Sequence, residues 1–352
     1  MKSILTHLRK NANAILNANS IAVDFGTTTT RIAIFGKGVV LREPTFIGLN
    51  NRTNEYIFFG NEAYEIFGKA PSFISIIHPV DYAIISDFDS SVKLLERFFE
   101  KAVHPFFFKN RLFKSKYTAY TTVPASATEV EQRAIEEALI KAGAGSVRIL
   151  EKSIATGYGA ELPVFSNDPA FIIDLGAGLI EMAIVTTGGI IASKTVRSGG
   201  LAMDTVIKNY IHLKYGMVIG ESTAQKLKNG LMSFDDEKKV LTVRGKSLEN
   251  GLPRSIRVTS ADVREALIAS FNGIVDGIKD MLETVAPEVV DGIVKNGITL
   301  AGGLANIPDI DKYIMQDIKI PVNVPENPQD ATIHGILKLL GNKERLERVI
   351  IR

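Results

Sequence analysis

The sequence predicts an α/β protein built as a duplicated pair of domains, and three observations carry that expectation. Strand-like runs alternate with helical ones, the pattern of parallel-sheet architectures. A strand, a tight Asp-x-Gly turn and a return strand occur twice, as IAVDFGTTTTRIAIF from Ile21 to Phe35 and as FIIDLGAGLIEMAIV from Phe171 to Val185. Asp24, Gly26, Ala33 and Ile34 recur at constant offset as Asp174, Gly176, Ala183 and Ile184. The chain has 352 residues, more than one compact core usually holds. Two such domains, related by a pseudo-twofold, would leave a cleft between them.

The elements follow in order. Residues 3–17 place Ile4, Leu5, Leu8, Ala12, Ile15 and Leu16 on one stripe, the spacing of a short amphipathic helix. The first strand–turn–strand comes next, and VVLREPTFIGLN is expected to continue its sheet. A smaller polar insertion runs from about Asn50 to Ile84. Helical spacing returns over residues 89–103 through Val92, Leu95, Phe99 and Val103. TAYTTVP reads as a strand closed by Pro124, Glu129 to Ala142 as a helix stopped by Gly143, and VRIL as the next strand. The second hairpin begins near Ala170. From Leu201 to Thr259 the chain is mixed and polar. Residues 260–285 are helical, NGITLAGGLANIP is a buried strand entering a glycine turn, and a last helix covers Ala331 to Leu340.

Composition excludes several function classes. Apolar residues make up 45% and charged residues 23%, as in ordinary globular proteins. A formal net charge of +2 argues against nucleic acid as the main partner. The absence of cysteine removes disulfides, thiolate nucleophiles and cysteine metal sites. His7, His78, His104, His212 and His334 are scattered without an i,i+4 pair, against a zinc site. No apolar run is long enough to span a bilayer. MKSILTHLRKNANAIL lacks the continuous apolar core of a secretory signal, so a cytoplasmic address is expected.

The paired turns suit a phosphate chain. A glycine lets backbone N–H groups approach an anion with no side chain in the way. Gly26 supplies that in the first turn; Gly176 and Gly178, flanking Ala177, supply it in the second. Thr27, Thr28, Thr29 and Thr30 would offer hydroxyls to the terminal phosphates. Asp24 and Asp174 would face each other across the cleft and hold a hydrated Mg²⁺, which takes few carboxylates. Gly302 and Gly303, after a buried strand, would let adenine and ribose lie against bare backbone. Asp-x-Gly alone is a common ligand-free hairpin turn; its recurrence, with a third glycine turn, points to a nucleotide.

At these residues the chain resembles the actin, heat-shock chaperone and sugar kinase superfamily, and within it MreB, the bacterial actin. KGVVLREPTFIGL, GNEAYEIFGKAP, ISDFD, VPASATEVEQRAIEEALIKAGA, GGLAMDTVIKNYI, IGESTAQKLK, VRGKSLENGLPRSIRVTSADVREAL and LAGGLANIPDI fall in family order. The resemblance implies a duplicated actin-like (ribonuclease H-like) ATPase fold, two lobes around a nucleotide cleft, each with a large and a small subdomain. Residues 1–48, 84–165 and 330–352 would form the large subdomain of lobe I and residues 49–83 its small one. Residues 166–200 and 264–329 would form the large subdomain of lobe II and residues 201–263 its small one. It implies ATP or ADP with Mg²⁺ as ligand, and adds Gly199, Gly200, Glu221, Gln225, Lys228 and Leu304 to the nucleotide-binding residues. Filament formation with itself and with other MreB paralogues is implied too, on the inner face of the cell membrane.

Departures from the family pattern fall on hydrolysis. Where MreB proteins read Glu-Glu-Pro, this chain has Glu151, Lys152, Ser153, and Lys152 replaces the glutamate expected to handle the attacking water. Leu179 stands where a water-ordering threonine is expected. After Gly199–Gly200, Asp and Glu become Leu201 and Ala202, and the third glycine after Gly303 is Leu304. A protonated lysine accepts no proton and a leucine bonds no water, so ATP binding with feeble or no hydrolysis is expected. Such a chain would be a divergent paralogue like those of wall-less bacteria. The alternatives are a monomeric membrane-associated adaptor and a small-molecule kinase of the same superfold; the latter would need an aspartate base, for which no candidate is found.

HPFFFKNRLFKSKY sets Phe106, Phe107, Phe108, Leu112 and Phe113 among Lys109, Arg111, Lys114 and Lys116. Aromatics beside cations suit an anionic lipid surface, and Leu112–Phe113 resemble a membrane-inserting pair of MreB. The same rings could instead cap the core beneath them.

Overall fold

A computed structural model describes residues 19–107 and 117–352. The expected N-terminal helix over 3–17, and Phe108, Leu112 and Phe113 of the aromatic stretch, lie outside the described residues. The chain divides into two compact units. The first comprises residues up to 170, Val185–Ile191 and Asp330–Arg352; the second comprises Phe171–Ile184 and Ala192–Gln329.

The first unit is built on a five-stranded sheet ordered Ser146–Glu151, Thr118–Val123, Ser20–Phe25, Thr29–Ile34, Gly38–Pro44. Ser20–Phe25 runs antiparallel to the return strand Thr29–Ile34 and parallel to Thr118–Val123. Ser20–Phe25, at the centre, buries all but Asp24, as a strand covered on both faces does, whereas Thr118–Val123 alternates half-buried and buried positions. Helix Phe88–Ala102, N-capped by Asp87 through the Ser90 N–H at 3.0 Å, buries Leu94, Leu95, Phe98 and Phe99 in this unit's core. Helix Glu129–Lys141 opens on a capping box between Thr128 and Glu131, which satisfies two of the amides that a helix start leaves without partners.

The second unit repeats the plan. A second five-stranded sheet, most of it in this unit, is ordered Gly189–Val196, Ile180–Thr186, Ala170–Leu175, Ile298–Ala301, Val322–Asn323, with Ala170 and Val185–Ile191 counted in the first unit. Numbered by appearance within each sheet, both have the strand order 3-2-1-4-5, so the repeated turns do mark a duplicated architecture. A second apolar core forms around Phe171, Ile173, Met182, Phe271 and Leu300. The longest helix, Ser260–Thr284, starts on a second capping box, Thr259 with Asp262.

Two expectations need correction. VVLREPTFIGLN does not continue one sheet: Gly38–Pro44 ends the first sheet, and Ile47–Asn50 belongs to a separate three-stranded sheet with Glu55–Phe59 and Ile74–Ile77. Pro44 has no N–H for the ladder, and Thr45 gives its own N–H to the Thr28 carbonyl at 3.0 Å. Nor is Ala331–Leu340 the last helix. Lys343–Val349 follows, capped by the Asn342 side chain, which accepts from the Arg345 N–H at 3.1 Å. The cap was legible, but the short polar helix buries only Leu346 and Val349, too few to mark it by periodicity.

Candidate nucleotide-phosphate site

In the first unit the turn after Ser20–Phe25 carries the threonines. A methyl on Gly26 would stand 2.8 Å from the Thr29 carbonyl oxygen, so glycine is required by close approach of backbone. Thr27 accepts from the Ala83 N–H at 3.0 Å, which uses a lone pair and leaves its proton to donate. Thr28 and Thr29 are half-buried. Thr30 departs from expectation: it is fully buried, and its hydroxyl bonds that of Thr45 at 2.9 Å. The alternation of a strand puts it on the inner face.

Asp24 sits at the end of its strand with Arg31 3.3 Å away. Arg31 also bonds Asp330 at 2.8 Å, and Asp330 in turn holds Arg42. Sequence reading missed this chain of charges, because Asp330 lies 299 positions from Arg31.

Glu151 and Lys152 mark the start of helix Lys152–Gly159, and both are half-buried. That helix is held by Ala331–Leu340 at a crossing of two glycines. A methyl on Gly335 would land on the Ala155 carbonyl, and one on Gly159 on that of Ala331. Thr156 and Thr332 bond across it at 2.8 Å.

The second unit gathers the other predicted residues into one platform. Gly176 N–H bonds the Leu179 carbonyl at 3.1 Å and closes the turn. Gly176 and Ala177 give their carbonyls to the N–H groups of Gly200 and Leu201, at 3.1 and 2.9 Å, so the start of helix Gly200–Tyr215 is tied to the turn. A methyl on Gly199 would come within 2.5 Å of the Ala177 oxygen. Gly302, at φ +86°, packs against the same turn from the other side: a methyl there would stand 2.5 Å from an Asp174 carboxylate oxygen and from the Leu175 carbonyl. Leu304 is buried and Gly303 exposed. Leu179 is 4% exposed and Ile180 fully buried, so apolar side chains here point into the core.

On helix Glu221–Leu231, Glu221 and Gln225 are half-buried. Lys228 faces inward; its ammonium lies 2.9 Å from Asp204 and donates to the Gly200 carbonyl at 2.6 Å. Burial pulls the Lys228 ammonium down and pushes the Asp204 carboxyl up, each opposed by the other's charge.

Of the aromatic stretch, the described part is the short helix His104–Phe107. Phe106 is 41% exposed, with the Lys37 ammonium 4.8 Å from its ring centre. Phe107 turns inward onto Tyr117, ring centres 5.3 Å apart. Among the described residues no helix is long and apolar enough to cross a membrane.

The family model for the MreB/Mbl protein matches residues 18–348. The chain belongs to the MreB/Mbl family. It is 34% identical to the cell shape-determining protein MreB of Escherichia coli (strain K12) over 324 residues, 90% of this chain and 92% of that one. It is 33% identical to the cell shape-determining protein Mbl of Bacillus subtilis (strain 168), covering 94% and 98%. Among solved structures, MreB5 of Spiroplasma citri superposes with a TM-score of 0.87 in its AMPPNP-bound form, at 29% identity, covering 93% of this chain and 98% of that one. The ADP-bound form gives 0.86 at 28%, covering 93% and 97%. The fold is therefore the actin-like fold of this cytoskeletal, cell-shape family, and the duplicated strand order agrees with it.

Proposed function

We propose that this MreB/Mbl chain binds ATP with Mg²⁺, assembles into filaments and hydrolyses the nucleotide weakly or not at all. The observation that carries the nucleotide reading is the bare-backbone platform of Gly176, Gly199 and Gly302, three glycines whose Cβ would strike neighbouring atoms of the turn, so that backbone and not side chains would face a phosphate. The Spiroplasma citri relatives are bound to ADP and AMPPNP, which supports the same ligand class. Gly26 with Thr27, Thr28 and Thr29 would take phosphates on the first unit; Gly176, Ala177 and Gly178 would do so on the second. Asp24 and Asp174, each beside a glycine turn, would each offer a carboxylate to a hydrated Mg²⁺, which takes few of them. When bound, the ion neutralises phosphate charge. Glu221, Gln225, Gly302, Gly303 and Leu304 would flank the nucleoside. Lys228 would act indirectly, through Gly200.

Leu179 and Lys152 carry the hydrolytic part. A buried leucine orders no water, and a lysine at a helix start cannot serve as base. Loss of a positioned base removes about 10²–10⁴ in rate. A cation at the positive end of a helix costs about 0.3–1 kcal/mol, which a nearby phosphate would offset by strengthening ground-state binding, without speeding chemistry.

Polymer mass by sedimentation and phosphate release, followed on one sample, test the reading. An ATP–Mg²⁺-dependent pellet with little released phosphate is expected, and Lys152→Glu with Leu179→Thr should raise release at least tenfold. Brisk release by the unsubstituted chain, unmoved by those changes, would overturn it; no pellet would indicate a monomeric adaptor. The exposed Phe106 beside Lys37 supports a peripheral place on an anionic membrane surface.

A further inference from the structure

We propose that Thr45 is the positioning residue of the first glycine turn, fixing the direction in which its backbone amides face a phosphate. This role rests on the nucleotide reading above. Thr45 is 0% exposed and sits just after the proline that ends the first sheet. It grips the turn at three points. Its N–H donates to the Thr28 carbonyl at 3.0 Å, and its hydroxyl donates to the Gly26 carbonyl at 2.7 Å. Thr45 has one hydroxyl proton, already given to Gly26, so in the 2.9 Å contact between the two hydroxyls Thr30 is the donor.

The consequence follows from peptide geometry. In a trans peptide the carbonyl of one residue and the N–H of the next point in opposite directions. Holding the Gly26 carbonyl toward Thr45 turns the Thr27 N–H away from it, and holding the Thr28 carbonyl does the same for the Thr29 N–H. The Thr27 and Thr29 amides, two residues apart, are thereby aligned to one side, where both can face one anion. A side chain that touches no ligand would set the geometry of those that do. Nothing in the Asp-x-Gly pattern identifies it, because Thr45 lies 19 positions from Gly26.

The test compares Thr45→Val, Thr45→Ser and the unsubstituted chain, measuring affinity for fluorescent ATP with Mg²⁺ and for adenosine. Valine keeps the shape but removes the hydroxyl bond to the half-buried Gly26 carbonyl and leaves Thr30 without its acceptor. The expected result is ATP affinity lowered about tenfold or more in Thr45→Val, adenosine affinity within about twofold, and recovery in Thr45→Ser. Should Thr45→Val fail to fold, Thr45→Ala is read by the same ratio. ATP binding unchanged in the variant, or ATP and adenosine weakened equally, would overturn the role while sparing the nucleotide reading. An unsubstituted chain that binds adenosine and ATP alike, with no gain from the phosphates, would overturn both.

Discussion

Lys228 and Asp204 form an ion pair at 2.9 Å with side chains only 6% and 1% exposed, directly beneath the start of the helix that meets the second glycine turn. The Lys228 ammonium also caps the Gly200 carbonyl, so the pair ties two helices to the turn. A buried pair costs desolvation, but removing one partner strands a charge. Lys228→Met alone should therefore destabilise the protein by about 3–5 kcal/mol. Lys228→Met with Asp204→Leu should cost markedly less. Denaturant unfolding of both variants checks this; equal losses would show that the charges are not the cause.

Two helical glycines should respond to alanine with opposite signs. At Gly335 a methyl would land on the Ala155 carbonyl across the helix crossing, so Gly335→Ala should destabilise by roughly 1–3 kcal/mol as the helices part. Gly273, inside helix Ser260–Thr284, meets nothing within 4 Å. Gly273→Ala should stabilise by about 0.5–1 kcal/mol through helix propensity. Thermal melts of the pair give the comparison.

Acidification should act through Asp262. Burial alone would push its carboxyl up, but hydrogen bonds from Lys214 and Thr259 outweigh that and hold it well below the usual carboxylate range. A depressed folded value gives stability that is present above the ordinary carboxylate value and is lost as pH falls below it. Asp262→Asn should cost about 1 kcal/mol of capping at pH 7, and the gap to the unsubstituted chain should narrow at pH 3. A gap of unchanged size, measured by urea unfolding, would assign the loss to packing.

Phe106 is the clean probe of lipid contact. Its ring is exposed, whereas that of Phe107 rests on Tyr117 and packs against the first unit's core. Phe106→Ser should lower co-sedimentation with anionic vesicles severalfold while leaving the melting temperature unchanged. Undiminished binding would remove this ring from the membrane surface.

The sequence by itself determined the duplicated plan, because the repeated Asp-x-Gly turns between apolar strands satisfy local rules: glycine where backbone crowds, aspartate at a strand end. Leu179 and Lys152 drew notice only through the family resemblance, and the structure buries the first and sets the second at a helix start. Strand alternation could have turned Thr30 inward, yet four consecutive threonines read as one hydroxyl cluster. Only the tertiary structure decided which side chains hold the turns. Thr45 with Gly26, Lys228 with Asp204, and Asp330 with Arg31 are joined across long stretches of chain. Burial makes each such polar group seek a partner, but local sequence does not say which distant residue the fold will bring within 3 Å or so.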